Sequence, residues 1–244
     1  MFLFKKKKIV IDCFTAEQGV ADLFPISPLM KNMPSWWSSF NNTTPAPNFP
    51  VEFSTVRRCP GVRDLFSSAF CIPAWSEYLL YKDPNQGFSC VGPNKLAEGN
   101  QHYEEQLGPH FKGYFHFKFL SPWYIKQKTD LKWLMMHPTW HDNSNITIPP
   151  GVLEFKNQHS THINIVSRKE ETMQEYHFKA GDPLAYLIPL TDSKIDLRIH
   201  VIDQTELQKM KTFHHSFHNS YELTKNIKRK QTCANKKTLL PEET

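Results

Sequence analysis

Glycine is scarce in this chain, nine residues of 244. None falls in a G-x-x-x-x-G-K-[ST], G-x-G-x-x-G or G-x-S-x-G pattern. Nucleoside-triphosphate, dinucleotide and lipase-type chemistry therefore lack the turns that cradle a phosphate or expose a nucleophile. Cysteine is sparse too: Cys13, Cys59, Cys71, Cys90 and Cys233 make an odd set of five with no C-x-x-C pair. Neither a zinc ribbon nor a disulfide framework fits, and reduced thiols in a cytoplasmic setting are the economical reading. No run of about 18 apolar residues occurs, which argues against a membrane-spanning helix. Lys5–Lys8 precede only Ile9–Ile11 before Asp12, too short a stretch for the apolar region of a signal peptide.

A large excess of one charge is missing as well: 29 Lys and Arg face 24 Asp and Glu, a net +5. Most of that excess sits at one end. From residue 204 onward eight bases meet four acids, so +4 of the +5 belongs to the tail and the body is nearly neutral. The tail makes nucleic acid a candidate partner, through Lys228, Arg229 and Lys230 and the adjacent Phe213–Tyr221 stretch. A solvated helix end is the plainer reading.

Aromatic residues are abundant: 18 Phe, 8 Tyr and 6 Trp. A chain of this length buries roughly 73% of its unfolded surface, so a core of its own is within reach without staples. Lys112–Leu120 sets Phe115, Phe117 and Phe119 on one face and Tyr114, His116 and Lys118 on the other, the period of a strand. Lys8–Phe14, Val51–Arg57, Ser76–Tyr81, Leu131–Met136, Val152–Lys156, His162–Ser167, Glu175–Lys179, Leu184–Leu190 and Ile195–Ile202 also read as strands. Short helices are expected at Glu17–Phe24, around Met33–Trp37 and over Gly61–Phe70, where Val62, Leu65, Phe66 and Ala69 are helically spaced. The expected fold is mainly β: an antiparallel β-sandwich or a jelly-roll, cupin-like barrel, with short N-terminal helices and a C-terminal helix. One domain spans residues 1–203, with a proline-rich loop at 25–50 and a loop excursion at 83–108. A basic helix over 204–230 and a flexible tail over 231–244 follow.

Three groups of residues carry chemistry. His137-Pro-Thr-Trp-His141-Asp142 holds two imidazoles and a carboxylate, the donor set of a cupin-like, non-haem iron enzyme. The spacing opposes that reading, because His141 and Asp142 are adjacent and face opposite sides of a strand, and the 137–142 stretch holds no His-x-Asp/Glu. Surface and loop imidazoles are the competing account. Trp36 and Trp37 lie in the proline-rich loop, where they either pack onto the sandwich or form a partner surface. The paired acids Glu104-Glu105 and Glu170-Glu171 sit in polar loops and read as solvated. Ile148-Pro-Pro-Gly151 and Ala180-Gly-Asp-Pro-Leu-Ala185 are turn-then-strand phrases, similar to those of cupin-like sandwiches and dUTPase-type pyrophosphatases. The nucleotide-binding features of the latter are missing.

The order of short motifs resembles a conserved family of marine tailed-phage proteins of the cyanophage type. The matching stretches are Ile9-Val-Ile-Asp-Cys-Phe-Thr15, Met33-Pro-Ser-Trp-Trp37, Val56-Arg-Arg-Cys-Pro60, Ile72-Pro-Ala-Trp75 and Phe117-Lys-Phe-Leu-Ser-Pro-Trp123. Ile148–Gly151, Gly181–Ala185 with Leu187-Ile-Pro189, and Phe217-His-Asn-Ser-Tyr221 continue the series. The resemblance implies a viral origin and a β-rich fold, and it transfers no catalytic residue. The leading expectation is a viral accessory or structural protein without catalysis, binding protein partners in the infected cytoplasm or the virion. A cupin-like iron enzyme is the alternative.

Overall fold

The computed structural model describes residues 8–93, 99–141, 146–156 and 159–215, apart from the side chains of residue 104 and residues 211–215. Within them the chain is mainly β. It opens with β1 (Lys8–Thr15), α1 (Gln18–Leu23), β2 (Ser27–Pro28), α2 (Ser35–Ser39), β3 (Thr43–Pro45), β4 (Glu52–Ser54) and α3 (Pro60–Ser68). Next come β5 (Phe70–Pro73), β6 (Tyr78–Asp83), β7 (Gly87–Val91), β8 (Gly99–His102), β9 (Tyr114–Phe119), β10 (Tyr124–Lys126), β11 (Trp133–Met136) and β12 (Gly151–Leu153). The last are β13 (Ile163–Arg168), β14 (Gln174–Phe178), β15 (Pro183–Pro189), β16 (Lys194–Val201) and α4 (Gln204–His215).

These strands form several sheets, in the orders β10-β1-β16, β12-β11-β15-β5-β2, β13-β9-β8 and β14-β6-β7, with β3-β4 a separate hairpin. All pairings are antiparallel except one. The first and last strands run parallel over eight residues, from Lys8 opposite Lys194 to Thr15 opposite Val201. The expectation of a purely antiparallel arrangement is corrected there. The parallel pair needs no helical crossover of its own, because nearly the whole domain is the connection between its strands.

The expected Phe face is real. Phe115, Phe117 and Phe119 are all buried and pack in the main core with Trp75, Trp123, Trp133 and Tyr78. A fully buried phenylalanine contributes about 1.5–3 kcal/mol. The five-stranded sheet has a second, smaller core on its other side. Along β5, Phe70 and Ile72 point into the main core, while Cys71 joins Leu29, Phe66, Ala69 and Tyr186 behind it. Alternation along an extended strand makes this double burial automatic. The back layer consists of α3 and α2. Pro60 starts α3 where its missing N–H costs nothing, and Val62, Leu65 and Phe66 face the sheet.

Several boundaries differ from the expectation. The excursion at 83–108 contains β7 and β8. Asp83 Oδ1 accepts from the backbone of Asn85 and Gln86, and Gly87 at φ +84° closes the hairpin into β7. The proline-rich loop at 25–50 carries β2, α2 and β3. Of Val51–Arg57, only Glu52–Ser54 is strand, and Val56–Arg58 is a 3-10 turn. The C-terminal helix is helical through His215; the rest of it and the tail at 231–244 lie outside the described residues.

One buried charge joins two of the sheets. Lys82 on β6 is 1% exposed and points away from water. Its ammonium donates to Ser167 Oγ at 3.1 Å and to the Arg168 carbonyl at 3.0 Å, with Glu170 Oε1 at 3.7 Å. Burial pulls its pKa below the ordinary lysine value, and Glu170 opposes that fall.

Candidate functional site: a tryptophan ridge between two clefts

Ser35–Ser39 is too short to be stable alone, and its five residues include none that is buried. Its anchorage comes from its tryptophans. Pro34 fixes the entry to the helix, and no side chain caps it. The Trp37 ring meets Phe66 of α3 edge-on, with centroids 4.9 Å apart. The Trp36 ring lies 6.2 Å from Trp140 and donates Nε1–H to the Trp140 carbonyl at 3.1 Å. Arg57 places its guanidinium 5.9 Å from the Trp37 centroid and donates to the Phe40 carbonyl at 2.6 Å. Both indoles are half-buried and fixed in orientation.

The two rings separate two clefts of opposite character. On the Trp37 side a cleft of about 390 Å³ is walled by Met30, Met33, Pro60 and Phe66, with Arg63 and Asp64 at its mouth. On the Trp36 side a cleft of about 490 Å³ is walled by Pro34, His141, Tyr176 and Phe178, with Glu175, His177 and Asp182 along it. His177 Nε2 is 2.6 Å from Glu77 Oε1, and Asp182 Oδ2 accepts from the Lys179 backbone at 2.8 Å. The first cleft is rich in methionine, a side chain that adapts to varied apolar contacts; the second carries carboxylates and no Lys or Arg.

Beside the ridge stands the β3–β4 hairpin. It pairs with no other sheet. Asn48 at φ 73° turns its tip, a conformation that asparagine tolerates. Phe49 is 67% exposed, Val51 52% and Phe53 53%. Phe40, where α2 ends, is also exposed and meets the Trp36 ring edge-on at 5.8 Å. A lone two-stranded hairpin is marginal in water. Thr55 ties this one down by donating to the Asn41 carbonyl.

The metal expectation fares differently at each residue. Both His141 nitrogens are engaged: Nδ1 with the Tyr186 hydroxyl at 2.6 Å, Nε2 with the Asn32 carbonyl. A carbonyl only accepts, so Nε2 carries the hydrogen and Nδ1 accepts from the tyrosine. Burial lowers the His141 pKa, against the bond to Asn32, and keeps the ring neutral. Its one lone pair is therefore committed, and His141 as arranged has none for a metal. The ring instead pins the loop after β11 to β15 and to the segment before α2. His137 is half-buried just past the end of β11, and Asp142 lies outside the described residues. Among the described residues no group of three or more His, Cys, Asp or Glu side chains could hold a metal ion. Other imidazoles hold the fold: His159 Nδ1 lies 3.0 Å from the Ile125 and Phe155 carbonyls, and His200 Nε2 lies 2.9 Å from Asp12 Oδ1.

The structure thus brings Trp36 and Trp37 together with Trp140, Arg57 and Phe40. Lys228, Arg229 and Lys230 lie outside the described residues. Sequence reasoning passed over the hairpin aromatics, though Phe49, Val51 and Phe53 alternate with polar or proline neighbours as on a strand with one apolar face. No protein-family model and no curated protein sequence matches the chain.

Proposed function

We propose that this protein is a non-catalytic viral accessory or structural component that binds a protein partner through its tryptophan ridge and hairpin. The observation that carries this reading is the run of exposed apolar side chains, Phe40, Phe49, Val51 and Phe53, beside two indoles locked in place. Rigid aromatics bordered by apolar surface suit protein interfaces, because little side-chain entropy is lost on contact. The neighbouring charges are mixed: Glu52 and Asp64 flank Arg57, Arg58 and Arg63 in sequence. That pattern favours an apolar protein surface bearing carboxylates over a phosphate backbone. No helix among the described residues is long and apolar enough to cross a membrane. The viral setting, in the infected cytoplasm or the virion, rests on the sequence resemblance. The scaffold is read as a β-sandwich. A jelly roll or cupin is the finer alternative, from which the parallel β1–β16 pair departs.

A photo-crosslinking residue at Phe53, with one at the equally exposed Val152 as control, tests the reading in infected cells. One discrete protein captured at residue 53 but not at 152, and lost on Phe49→Ser, is the expected result. Equal capture at both positions, no capture, or capture only of a second copy of this chain overturns it.

A further inference from the structure

β8 and β9 meet in a register that sets Gly99 opposite Phe119 and His102 opposite His116. At the first end a Cβ on residue 99 would overlap the Phe117 ring, so β8 lies flat against that aromatic. At the other end the His102 and His116 rings stack, with centroids 4.8 Å apart and planes 25° from parallel. Each imidazole gives one nitrogen to an amide oxygen. His102 Nδ1 is 2.7 Å from Gln106 Oε1, and His116 Nε2 is 3.2 Å from Asn164 Oδ1. An amide oxygen accepts only, so those two nitrogens carry the hydrogens. The remaining nitrogens, His102 Nε2 and His116 Nδ1, are buried and have no hydrogen-bond partner among the described residues.

We propose that the stacked His102–His116 pair is an acid-sensitive latch, holding β8 on β9 while neutral and releasing it, with the β9 edge left open, once protonated. Protonation converts each buried lone pair into a buried N–H without an acceptor and sets two cations face to face. Among the described residues the surroundings offer no compensation. On the same face of this sheet, β9 adds Lys118, β13 adds Asn164, Val166 and Arg168, and β8 adds Asn100. In the 3-10 turn Glu104–Leu107, Gln106 is already bonded to His102 and Glu105 is exposed. The Glu104 side chain lies outside the described residues.

The sign follows from the same geometry. Burial, joined by the charges of His102 and Lys118, holds the His116 pKa below its ordinary value and outweighs the bond to Asn164. The released strand binds the proton more readily than the closed one. The latch is therefore closed above the ordinary imidazole value of about 6.5 and weakens as the pH falls below it. With the closed His116 unprotonated across the window, the opening constant rises about tenfold between pH 7.5 and pH 5.5, which is the limiting response.

Hydrogen exchange read by mass spectrometry on the full chain tests this. After correction for intrinsic rates, protection over residues 99–107 is expected to fall about tenfold from pH 7.5 to pH 5.5, while β5 keeps its own. His116→Phe, which retains a ring to stack on His102, is expected to abolish that response, and Glu104→Gln to preserve it. Three results overturn the latch: no loss over 99–107, a loss in step with β5, or the same loss in His116→Phe. A lost response in Glu104→Gln overturns it too, since it would make Glu104 the titrating group. Should His116→Phe fail to fold, the NMR titration of His116 in the wild-type chain decides, and a midpoint at or above the ordinary imidazole value rejects the latch.

Discussion

The two sides of the five-stranded sheet use aromatic rings in contrasting ways. In front, Trp75, Trp123, Trp133 and Phe119 are sealed among other rings, at 2% exposure or less. Behind, Trp36 and Trp37 are half-open, although a hydrogen bond fixes the first and an edge-on contact the second. Sealed rings supply stability, and half-open fixed rings supply a surface that costs little to use. A chain with one small core would have to choose between the two; here β5 and β15, buried on both faces, support both.

The largest effect that separates the two sides is expected from Trp133→Ala. Its ring touches Phe70 and Phe155 and donates to Gln127 at 2.8 Å, so truncation should cost about 3–5 kcal/mol in urea unfolding. Trp37→Ala should cost less, about 1.5–2.5 kcal/mol, with the β signal in circular dichroism intact, because the ring is only half-buried. Equal costs at the two positions would break the comparison. Lys82→Ala should cost about 2 kcal/mol through lost packing and the lost hydrogen bonds to Ser167 and the Arg168 carbonyl, whereas Lys82→Met should stay within about 1 kcal/mol of wild type. Tyr78→Phe should stabilise the front core by about 1 kcal/mol, since it removes a buried hydroxyl that has no hydrogen-bond partner. The smallest shift belongs to the double variant Phe49→Ser with Phe53→Ser. Its unfolding midpoint should move by less than the equivalent of about 0.5 kcal/mol, while partner capture at the ridge is lost.

What could be read from the sequence follows physical range. β9 announced itself through Phe115, Phe117 and Phe119, a local period-two pattern, and α3 through Val62, Leu65 and Phe66. β5 was hidden because Phe70–Pro73 is buried on both faces, and an unbroken apolar run of four has no period to detect. β7 and β8 were hidden by their turns: Asp83, Pro84 and Gly87 mark a hairpin as readily as a loop. The pattern placed His116 opposite the phenylalanines but not what covers it: it is 8% exposed because His102 from β8 stacks on it. The tryptophan pair was visible as a candidate, but the groups that fix it, Trp140 and Phe66, lie about 104 and 29 residues away along the chain. The role of His141 was hidden for a similar reason. Only the distant Tyr186 and Asn32 show that the imidazole of residue 141 is already occupied.

The parallel pairing of β1 with β16 has a mechanical meaning. The chain enters the ribbon at Lys8 and leaves it past Val201, at opposite ends of a shared eight-residue register. Tension applied through the two termini slides these strands lengthwise, so their backbone hydrogen bonds carry the load together instead of opening one at a time. The strands that bracket the domain thus form a shear clamp, and a pull on the ends meets it before reaching anything inside.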